Sequence, residues 1–199
     1  KNKNPGGAAT AEDEIKFVLD RESDAGIVVD ALKDGRIPLR VTHNDTKLNN
    51  VLLDNKTGEG VCVIDLDTVM PGSLLYDYGD ALRFGGSTRG GGSSGAEDER
   101  DLDKIYFKVE NFTAFTRGFL EELTSITDAE LELLPFSIKL MTLECGSRFL
   151  ADYLNGDTYF KTAYPEHNLV RARTQFKLVR DIEDKYDELC RIVHEIAGR

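Results

Sequence analysis

The hydrophobic pattern of this sequence changes its period over residues 39–64, and that change limits the fold more than any other feature. Three short apolar runs lie there, Leu39–Val41, Val51–Leu53 and Val61–Ile64. Runs of this length suit strands, and the turn-forming residues 55–60 between the last two predict a β-hairpin. Helical spacing on both sides predicts a mainly α fold with a small β-hairpin, an α+β class.

The flanking segments have the spacing of amphipathic helices. Residues 11–33 are expected to be helical with a break near Ser23, and one last helix is expected over about residues 168–197. Thr127 and Glu130 have the spacing of a capping box, which predicts the start of another helix. The last helix presents one apolar stripe that we assign to the core: Leu169, Ala172, Phe176, Val179, Ile182, Tyr186, Leu189, Val193 and Ile196.

Composition excludes several classes of function. The 199 residues include 25 basic and 36 acidic side chains, a formal net charge of −11, which argues against broad nucleic-acid binding and against an anionic membrane surface. No run of about 18 apolar residues is present, so no transmembrane helix is expected. The cysteines, Cys62, Cys145 and Cys190, lack metal-type pairing, which favours a reduced protein of the cytoplasm.

The residues that carry chemistry lie in one loop and at the end of the hairpin. The loop contains His43-x-Asp45-x-x-x-x-Asn50, and the second hairpin strand leads into Asp65. In phosphoryl transfer one carboxylate orients and deprotonates the acceptor hydroxyl, while a carboxylate and an amide oxygen hold Mg²⁺. We therefore predict that Asp45 is the catalytic base and that Asn50 and Asp65 are metal ligands. Lys47 is predicted to offset negative charge on the transferred phosphoryl group.

Residues 39–84 resemble the C-terminal lobe of the aminoglycoside phosphotransferase and choline kinase family, which shares the protein-kinase-like fold. The run from His43 to Asn50 is similar to its catalytic loop, and the segment at Asp65 to its metal-binding segment. Within the family the chain most resembles N-acetylhexosamine 1-kinases, which phosphorylate the anomeric hydroxyl of N-acetylglucosamine or N-acetylgalactosamine, and a weaker similarity covers residues 144–157. The resemblance implies ATP as co-substrate, Mg²⁺ as cofactor and a small-molecule sugar as partner.

The resemblance also implies supporting roles around the loop. In this fold His43 is expected to brace the loop by hydrogen bonds rather than to act as a base. Asp77 and Asp80 fit the tail of the metal-binding motif and are expected to brace the site, because a helix N-terminus attracts carboxylates. Two alternatives remain for Asp67, a supporting carboxylate beside the metal site or a solvated one.

Two residues further along the chain are implied as sugar contacts. Arg148 and Tyr159 would contact the hexosamine, since arginine suits sugar hydroxyls or an acetamido carbonyl and tyrosine can pack on a pyranose face. The alternatives are a surface arginine and a core aromatic residue. For Asp152, one helical turn after Arg148, the simplest expectation is an ion pair with that arginine.

The N-terminal lobe of the family supplies a phosphate-covering loop and an ATP-anchoring lysine from a β-sheet, and nothing before Leu39 has that pattern. We therefore expect residues 1–10 to be a linker and residues 11–199 to be the C-terminal lobe, with the ATP-binding lobe absent. An exposed apolar surface is expected near the catalytic loop, where that lobe or a second copy of the chain would dock. The fragment alone is expected to be inactive.

Other functions stay open. The alternative acceptors are choline, homoserine or an aminoglycoside, and a lobe that only binds a sugar or a partner is a non-catalytic alternative. A sulfatase is disfavoured because the sequence after Cys145 lacks the Cys/Ser-x-Pro/Ala-x-Arg spacing.

Residues 90–95 satisfy Gly-x-Gly-x-x-Gly, but no strand precedes them and acidic residues follow. We therefore interpret residues 90–95 as a surface loop rather than a phosphate loop, within a stretch, residues 85–103, that is expected to be mobile.

Overall fold

The computed structural model describes residues 5–87 and 97–198, and these ranges are mostly helical. Their helices are α1 (Pro5–Thr10), α2 (Glu12–Leu19), α3 (Ile27–Lys33), α4 (Leu74–Gly85), α5 (Val109–Glu122), α6 (Asp128–Leu154), α7 (His167–Asp184) and α8 (Tyr186–Ala197). Their strands are β1 (Arg40–Thr42), β2 (Val51–Leu53), β3 (Gly60–Val63) and β4 (Met70–Gly72). The predicted class, mainly α with a small β part, is confirmed.

The strands form two antiparallel pairs that flank the loop at 43–50. Strands β2 and β3 form the predicted hairpin, with Val51 opposite Val63. Strands β1 and β4 form the second pair, with Arg40 opposite Gly72. Because β1 ends just before the loop and β2 begins just after it, the two pairs fix both ends of the loop.

Strand β4 was not expected from the sequence, because proline and glycine disfavour strands. It forms by antiparallel pairing with β1, and the Thr42 hydroxyl strengthens the pairing by donating a hydrogen bond to the Met70 carbonyl at 3.0 Å. The close approach of the two strands also requires glycine, since a Cβ on Gly72 would collide with the hydroxyl oxygen of Thr42. The pairing is thus decided by a contact between residues distant in sequence.

Helix α6 begins with the predicted capping box. The Thr127 hydroxyl accepts a hydrogen bond from the Glu130 N–H, and the Glu130 carboxylate accepts one from the Thr127 N–H at 2.9 Å. The same carboxylate, fully buried, also accepts two hydrogen bonds from the Arg40 guanidinium, both at 2.7 Å. The start of α6 is therefore tied to β1, the strand that leads into the loop.

Helix α4 packs closely on α6. A Cβ on Gly79 would collide with the carbonyl oxygen of Ser137, so glycine permits this approach. Two clusters of buried apolar side chains complete the core, one formed mainly by α3, α4, α5, α6 and α8 and one by α2, α6 and α7. Within the described residues no helix is both long and apolar enough to cross a bilayer.

Two sequence expectations differ from the structure. Residues 5–10 form α1 rather than a linker; the Thr10 hydroxyl lies 2.9 Å from the Tyr153 hydroxyl, a contact with α6 that local sequence does not reveal. The expected single helix over 168–197 is wrong, because it is interrupted at Lys185. The Lys185 ammonium donates to the Phe107 carbonyl at 2.8 Å, and no glycine or proline marks the interruption.

One further expectation is met and another is not. The break near Ser23 is a 3₁₀ turn over Glu22–Gly26. The expected mobile stretch, residues 85–103, is not mobile surface where the structure describes it: α4 extends to Gly85, Ser87 is buried and pairs with Phe107, and a 3₁₀ turn begins at Leu102. The rest of the glycine- and serine-rich loop, residues 88–96, lies outside the described residues.

The β part presents the exposed apolar surface that the sequence predicts. Val41 is 80% exposed, Leu39 67% and Val61 66%. Further exposed apolar side chains on or beside the strands are Leu48, Leu52, Leu53, Val63, Leu66 and Met70. In sequence, Leu39 and Val41 lie just before the loop at 43–50 and Leu48 lies within it.

Candidate active site

Asp77, in the first turn of α4, holds the loop at its beginning. Its two carboxylate oxygens accept hydrogen bonds from the backbone N–H of His43 at 2.8 Å and of Asn44 at 2.7 Å. The Thr46 hydroxyl donates to the Asp77 carbonyl at 2.7 Å. Asn44 has a left-handed backbone, with φ of 64°, and these hydrogen bonds stabilise that turn. Asp77 therefore braces the loop through the residues on either side of Asp45 rather than through Asp45 itself.

His43 uses both ring nitrogens in fixed hydrogen bonds. Nδ1 lies 3.3 Å from the backbone N–H of Asp45 and must accept, whereas Nε2 lies 3.0 Å from the carbonyl of Ile64 and must donate. The pattern defines a neutral imidazole with its proton on Nε2. His43 thus connects the loop to the residue before Asp65 and has no free nitrogen with which to act as a base.

Asp45 is partly open to solvent, with 27% of its side chain exposed. The ammonium of Lys47 lies 2.8 Å from its carboxylate, and the amide of Asn50 donates to it at 2.9 Å. Burial opposes ionisation, but the hydrogen bonds from Lys47 and Asn50 outweigh it and hold the pKa of the Asp45 carboxyl below its ordinary value. Asp45 is therefore ionised at neutral pH and accessible to a ligand.

Asn50 and Asp65 are brought together by the hairpin. The carbonyl of Asn50 accepts a hydrogen bond from the N–H of Ile64 at 2.9 Å, so Asp65 follows directly on the residue paired with Asn50. Asp65 has a left-handed backbone, with φ of 63°, and an exposed side chain. Within the described residues its carboxylate makes no hydrogen bond or ion pair.

Asn50 and Asp65 offer the kind of oxygen donors that Mg²⁺ takes. The described residues contain no group of three or more His, Cys, Asp or Glu side chains able to hold a metal ion. Mg²⁺, however, is commonly bound through one or two protein oxygens together with substrate phosphates. Asn50 uses its Nδ2 for Asp45, which leaves Oδ1 for a cation, and the Asp65 carboxylate supplies the second hard oxygen donor.

A cavity of about 520 Å³ opens beside Asp45. Four residues singled out from the sequence as catalytic or substrate-binding line it: Asp45, Lys47, Arg148 and Tyr159. Asn50 and Asp65 do not. Sequence reasoning did not select several charged residues that also line this cavity: Arg83, Glu97, Glu144, Lys161 and Arg171.

Arg83 is a buried cation at the cavity. Its guanidinium lies 2.9 Å from the Asp80 carboxylate and 2.8 Å from that of Glu97. Asp80 therefore braces the site through Arg83. The spacing of Asp80 and Arg83, three residues apart in α4, was the available sequence signal, but the same spacing is common on exposed helix surfaces.

Arg148 faces two aromatic rings. Its guanidinium carbon lies 5.9 Å from the ring centre of Tyr159 and 5.6 Å from that of Phe160. The nearest carboxylate is that of Glu144, at 3.7 Å, so the expected pair with Asp152 is wrong. Tyr159 is 73% exposed, which also rules out the core-aromatic alternative.

Asp67 makes no supporting contact in this structure. Its side chain is exposed and forms no hydrogen bond or ion pair with the part of the chain that the structure describes. Of the two alternatives from the sequence, the solvated carboxylate agrees with this geometry.

Comparison with protein families agrees with the geometry. Residues 9–110 match the model of the phosphotransferase enzyme family, APH, and the match covers just over half of the chain. It includes the loop that holds Asp45 and Asn50, the hairpin and Asp65, and it ends before Arg148 and Tyr159. This chain therefore belongs to the APH phosphotransferase enzyme family.

Proposed function

We propose that this chain is the C-terminal lobe of an ATP-dependent sugar kinase that phosphorylates the anomeric hydroxyl of an N-acetylhexosamine. Family membership gives the reaction class, phosphoryl transfer to a small molecule. One observation carries the proposal further: the ionised, partly exposed carboxylate of Asp45 lines the same cavity as Arg148 and Tyr159.

In the proposed reaction Asp45 orients the acceptor hydroxyl and takes its proton as the new P–O bond forms. An ionised carboxylate with a lowered pKa suits a group that must be unprotonated when the acceptor arrives. Lys47, whose ammonium lies 2.8 Å from that carboxylate, is close enough to offset negative charge on the phosphoryl group.

Asn50 Oδ1 and the Asp65 carboxylate would hold Mg²⁺, which would neutralise charge on the ATP phosphates. The chain's own contribution is to keep these oxygens in place. The Asn50 amide is held by two hydrogen bonds to Asp45, and the backbone at Asp65 is held by the hairpin and by His43.

The charges around the cavity favour a neutral acceptor. Each acidic side chain that lines the cavity already has a cationic neighbour: Asp45–Lys47, Asp80–Arg83, Glu97–Arg83 and Glu144–Arg148. The ammonium groups of an aminoglycoside would have to compete with these cations for the carboxylates, which disfavours that acceptor. Choline would need aromatic faces without a cation, whereas the rings of Tyr159 and Phe160 both lie near the Arg148 guanidinium.

A hexosamine suits this arrangement. The Arg148 guanidinium can donate to sugar hydroxyls or to an acetamido carbonyl. The exposed ring of Tyr159 offers an apolar face and a hydroxyl at the same wall of the cavity. Both side chains would thus select the acceptor by hydrogen bonding and shape rather than by its charge.

The exposed apolar surface on the strands supports the presence of a further lobe or chain that covers it. So many exposed apolar side chains on two short strand pairs, Leu39, Val41 and Val61 among them, are unusual for a free surface. We assign its cover to the ATP-binding lobe of the same enzyme, with a dimer of this chain as the other candidate. The cysteines are free thiols, which suits the reducing cytoplasm where ATP is available.

The test is direct phosphorylation by the kinase that carries this lobe, with ATP and Mg²⁺. N-acetylglucosamine, N-acetylgalactosamine, choline, homoserine and an aminoglycoside are compared as acceptors, and ³¹P NMR identifies the phosphorylated position. We expect an anomeric phosphate that is lost in Asp45→Asn. Phosphorylation of choline or an aminoglycoside at a higher kcat/KM would refute the proposed acceptor while retaining the reaction class.

A further inference from the structure

We infer that Asp152 is a positioning residue of the acceptor site: it holds the chain segment 158–160, and with it Tyr159, against Arg148. This inference deepens the proposed function and rests on it. Asp152 does not itself line the cavity, so it would act on the acceptor only through other residues.

The Asp152 side chain is buried, and most of the hydrogen bonds to its carboxylate come from this segment. One carboxylate oxygen accepts from the backbone N–H of Thr158 and of Tyr159, both at 2.9 Å. The other accepts from the N–H of Phe160 at 3.0 Å and from the amide of Asn168 at 2.9 Å. Three consecutive backbone amides therefore converge on one carboxylate.

The segment needs such an anchor because the chain turns sharply before it. Gly156 and Asp157 both have left-handed backbones, with φ of 88° and 55°. Asn168 donates to Asp157 at 2.8 Å as well as to Asp152, and so joins the turn to α7. Without the carboxylate, three partly buried backbone N–H groups would lose their acceptor.

Within the anchored segment, the side chain of Tyr159 has little other support. Tyr159 is 73% exposed, and its ring contacts are an edge-on approach to Phe160 at 4.8 Å and the Arg148 guanidinium. Phe160 packs on Phe149 with ring centres 4.7 Å apart. Because an exposed ring has few packing neighbours, the backbone hydrogen bonds of residues 158–160 determine where Tyr159 lies.

The ionisation state agrees with this role. Burial raises the pKa of Asp152, but the backbone hydrogen bonds from Phe160, Tyr159 and Thr158 outweigh it and keep the pKa below the ordinary value. Asp152 is thus an anion that only accepts. Asparagine has the same shape but would place an NH₂ group against N–H donors on one side, which releases part of the segment.

The experiment compares Asp152→Asn with wild type in the kinase that carries this lobe. Titration of N-acetylglucosamine gives an acceptor Kd without requiring turnover, and we expect it to rise about tenfold, the effect of misplacing one or two contacts. The KM for ATP is expected to stay unchanged. Hydrogen exchange should show faster exchange at the amides of residues 158–160, with the rest of the lobe unchanged.

The matched control is Asp54→Asn, which alters another carboxylate that accepts consecutive backbone N–H groups, those of Lys56 and Thr57, at the hairpin turn and outside the cavity. It is expected to lower stability without changing the acceptor Kd. In a Tyr159→Ala background, Asp152→Asn is expected to have little further effect on the Kd, since both changes remove the same contact. If Asp152→Asn does not fold, Asn168→Ala replaces it, with a smaller expected rise in the acceptor Kd, because it removes only one of the hydrogen bonds to the Asp152 carboxylate.

An acceptor Kd in Asp152→Asn equal to that of wild type would overturn the inference. So would a loss of acceptor affinity on Asp152→Asn that is equally large in the wild-type and Tyr159→Ala backgrounds. Failure of the proposed function has a different signature. In that case wild type binds no hexosamine or does not phosphorylate it, whatever happens to the exchange of residues 158–160.

Discussion

Asn50 donates two hydrogen bonds to Asp45 through one amide nitrogen, to the backbone carbonyl at 2.8 Å and to the carboxylate at 2.9 Å. The same side chain therefore orients the proposed base and, through Oδ1, presents an oxygen to the proposed metal. The proposed base and a proposed metal ligand are thus hydrogen-bonded to each other, so a substitution at one can disturb the other. Their roles must therefore be distinguished by how each variant responds to Mg²⁺ and to pH.

Magnesium dependence separates Asp45 from Asp65. Asp45→Asn cannot accept the proton of the acceptor, and we expect kcat to fall about 10²–10⁴-fold with little change in the sugar KM. Asp65→Asn should instead raise the Mg²⁺ concentration needed for half-maximal rate, and excess Mg²⁺ should restore part of the activity. Both variants are assayed over a Mg²⁺ series. Rescue of Asp45→Asn, but not of Asp65→Asn, would show that the two roles are exchanged.

The acid limb of the pH–rate profile should report the interaction of Asp45 with Lys47. Lys47 helps to hold the pKa of the Asp45 carboxyl low, so Lys47→Met should raise that pKa and move the acid limb of kcat/KM to higher pH. Lys161→Met is the control, since it removes a cation that lines the same cavity but has no contact with Asp45. Equal shifts in both variants would indicate a general field effect and not the specific pair.

Much of the fold was predictable because it depends on local signals. The hairpin follows from two apolar runs and a turn, and the start of α6 from the spacing of Thr127 and Glu130. Strand β4 and the interruption at Lys185 were not predictable, because each depends on a contact with a distant residue, Thr42 or Phe107. Local secondary-structure propensity does not predict contacts between residues that are distant in the sequence.

The candidate site divides in the same way. Asp45, Lys47 and Asn50 lie on one loop, so sequence spacing was enough to group them. Arg148 and Tyr159 were selected by resemblance, and the cavity brings them to the same place as Asp45. Arg83 and its role at the cavity were not predicted, because an ion pair within a helix has the same sequence spacing whether its side chains are buried or exposed.

Asp77 should control catalysis without touching the acceptor. Its carboxylate accepts from the N–H of His43 and of Asn44, and Asp77→Asn would lose one of these hydrogen bonds. A displaced loop misaligns Asp45, and we expect kcat to fall about 10²-fold. Asp54→Asn is the matched control, because Asp54 also accepts two backbone N–H groups, but at the hairpin turn. A similar fall in both variants would point to general destabilisation.

The pair of Arg40 and Glu130 should stabilise the fold in a pH-dependent way. Glu130 is fully buried, so Arg40→Met would leave its charge without a cationic partner, and we expect a loss of about 3 kcal/mol in the free energy of unfolding at neutral pH. Arg191→Met is the control, since its pair with Glu195 is exposed at both ends and should contribute less than about 1 kcal/mol.

The pH dependence of this loss follows from the pKa of Glu130. Burial raises that pKa, but the hydrogen bonds from Arg40 and Thr127 outweigh it, so the folded-state pKa lies below the ordinary value of 4.5. A group with a lowered folded-state pKa contributes stability above its unfolded-state pKa and loses it as the pH falls through the folded-state pKa. Urea unfolding of wild type and Arg40→Met should therefore differ most near neutral pH and converge below pH 4.5. A difference that stays constant down to strongly acidic pH would show that lost packing of the Arg40 side chain, and not its charge, is responsible.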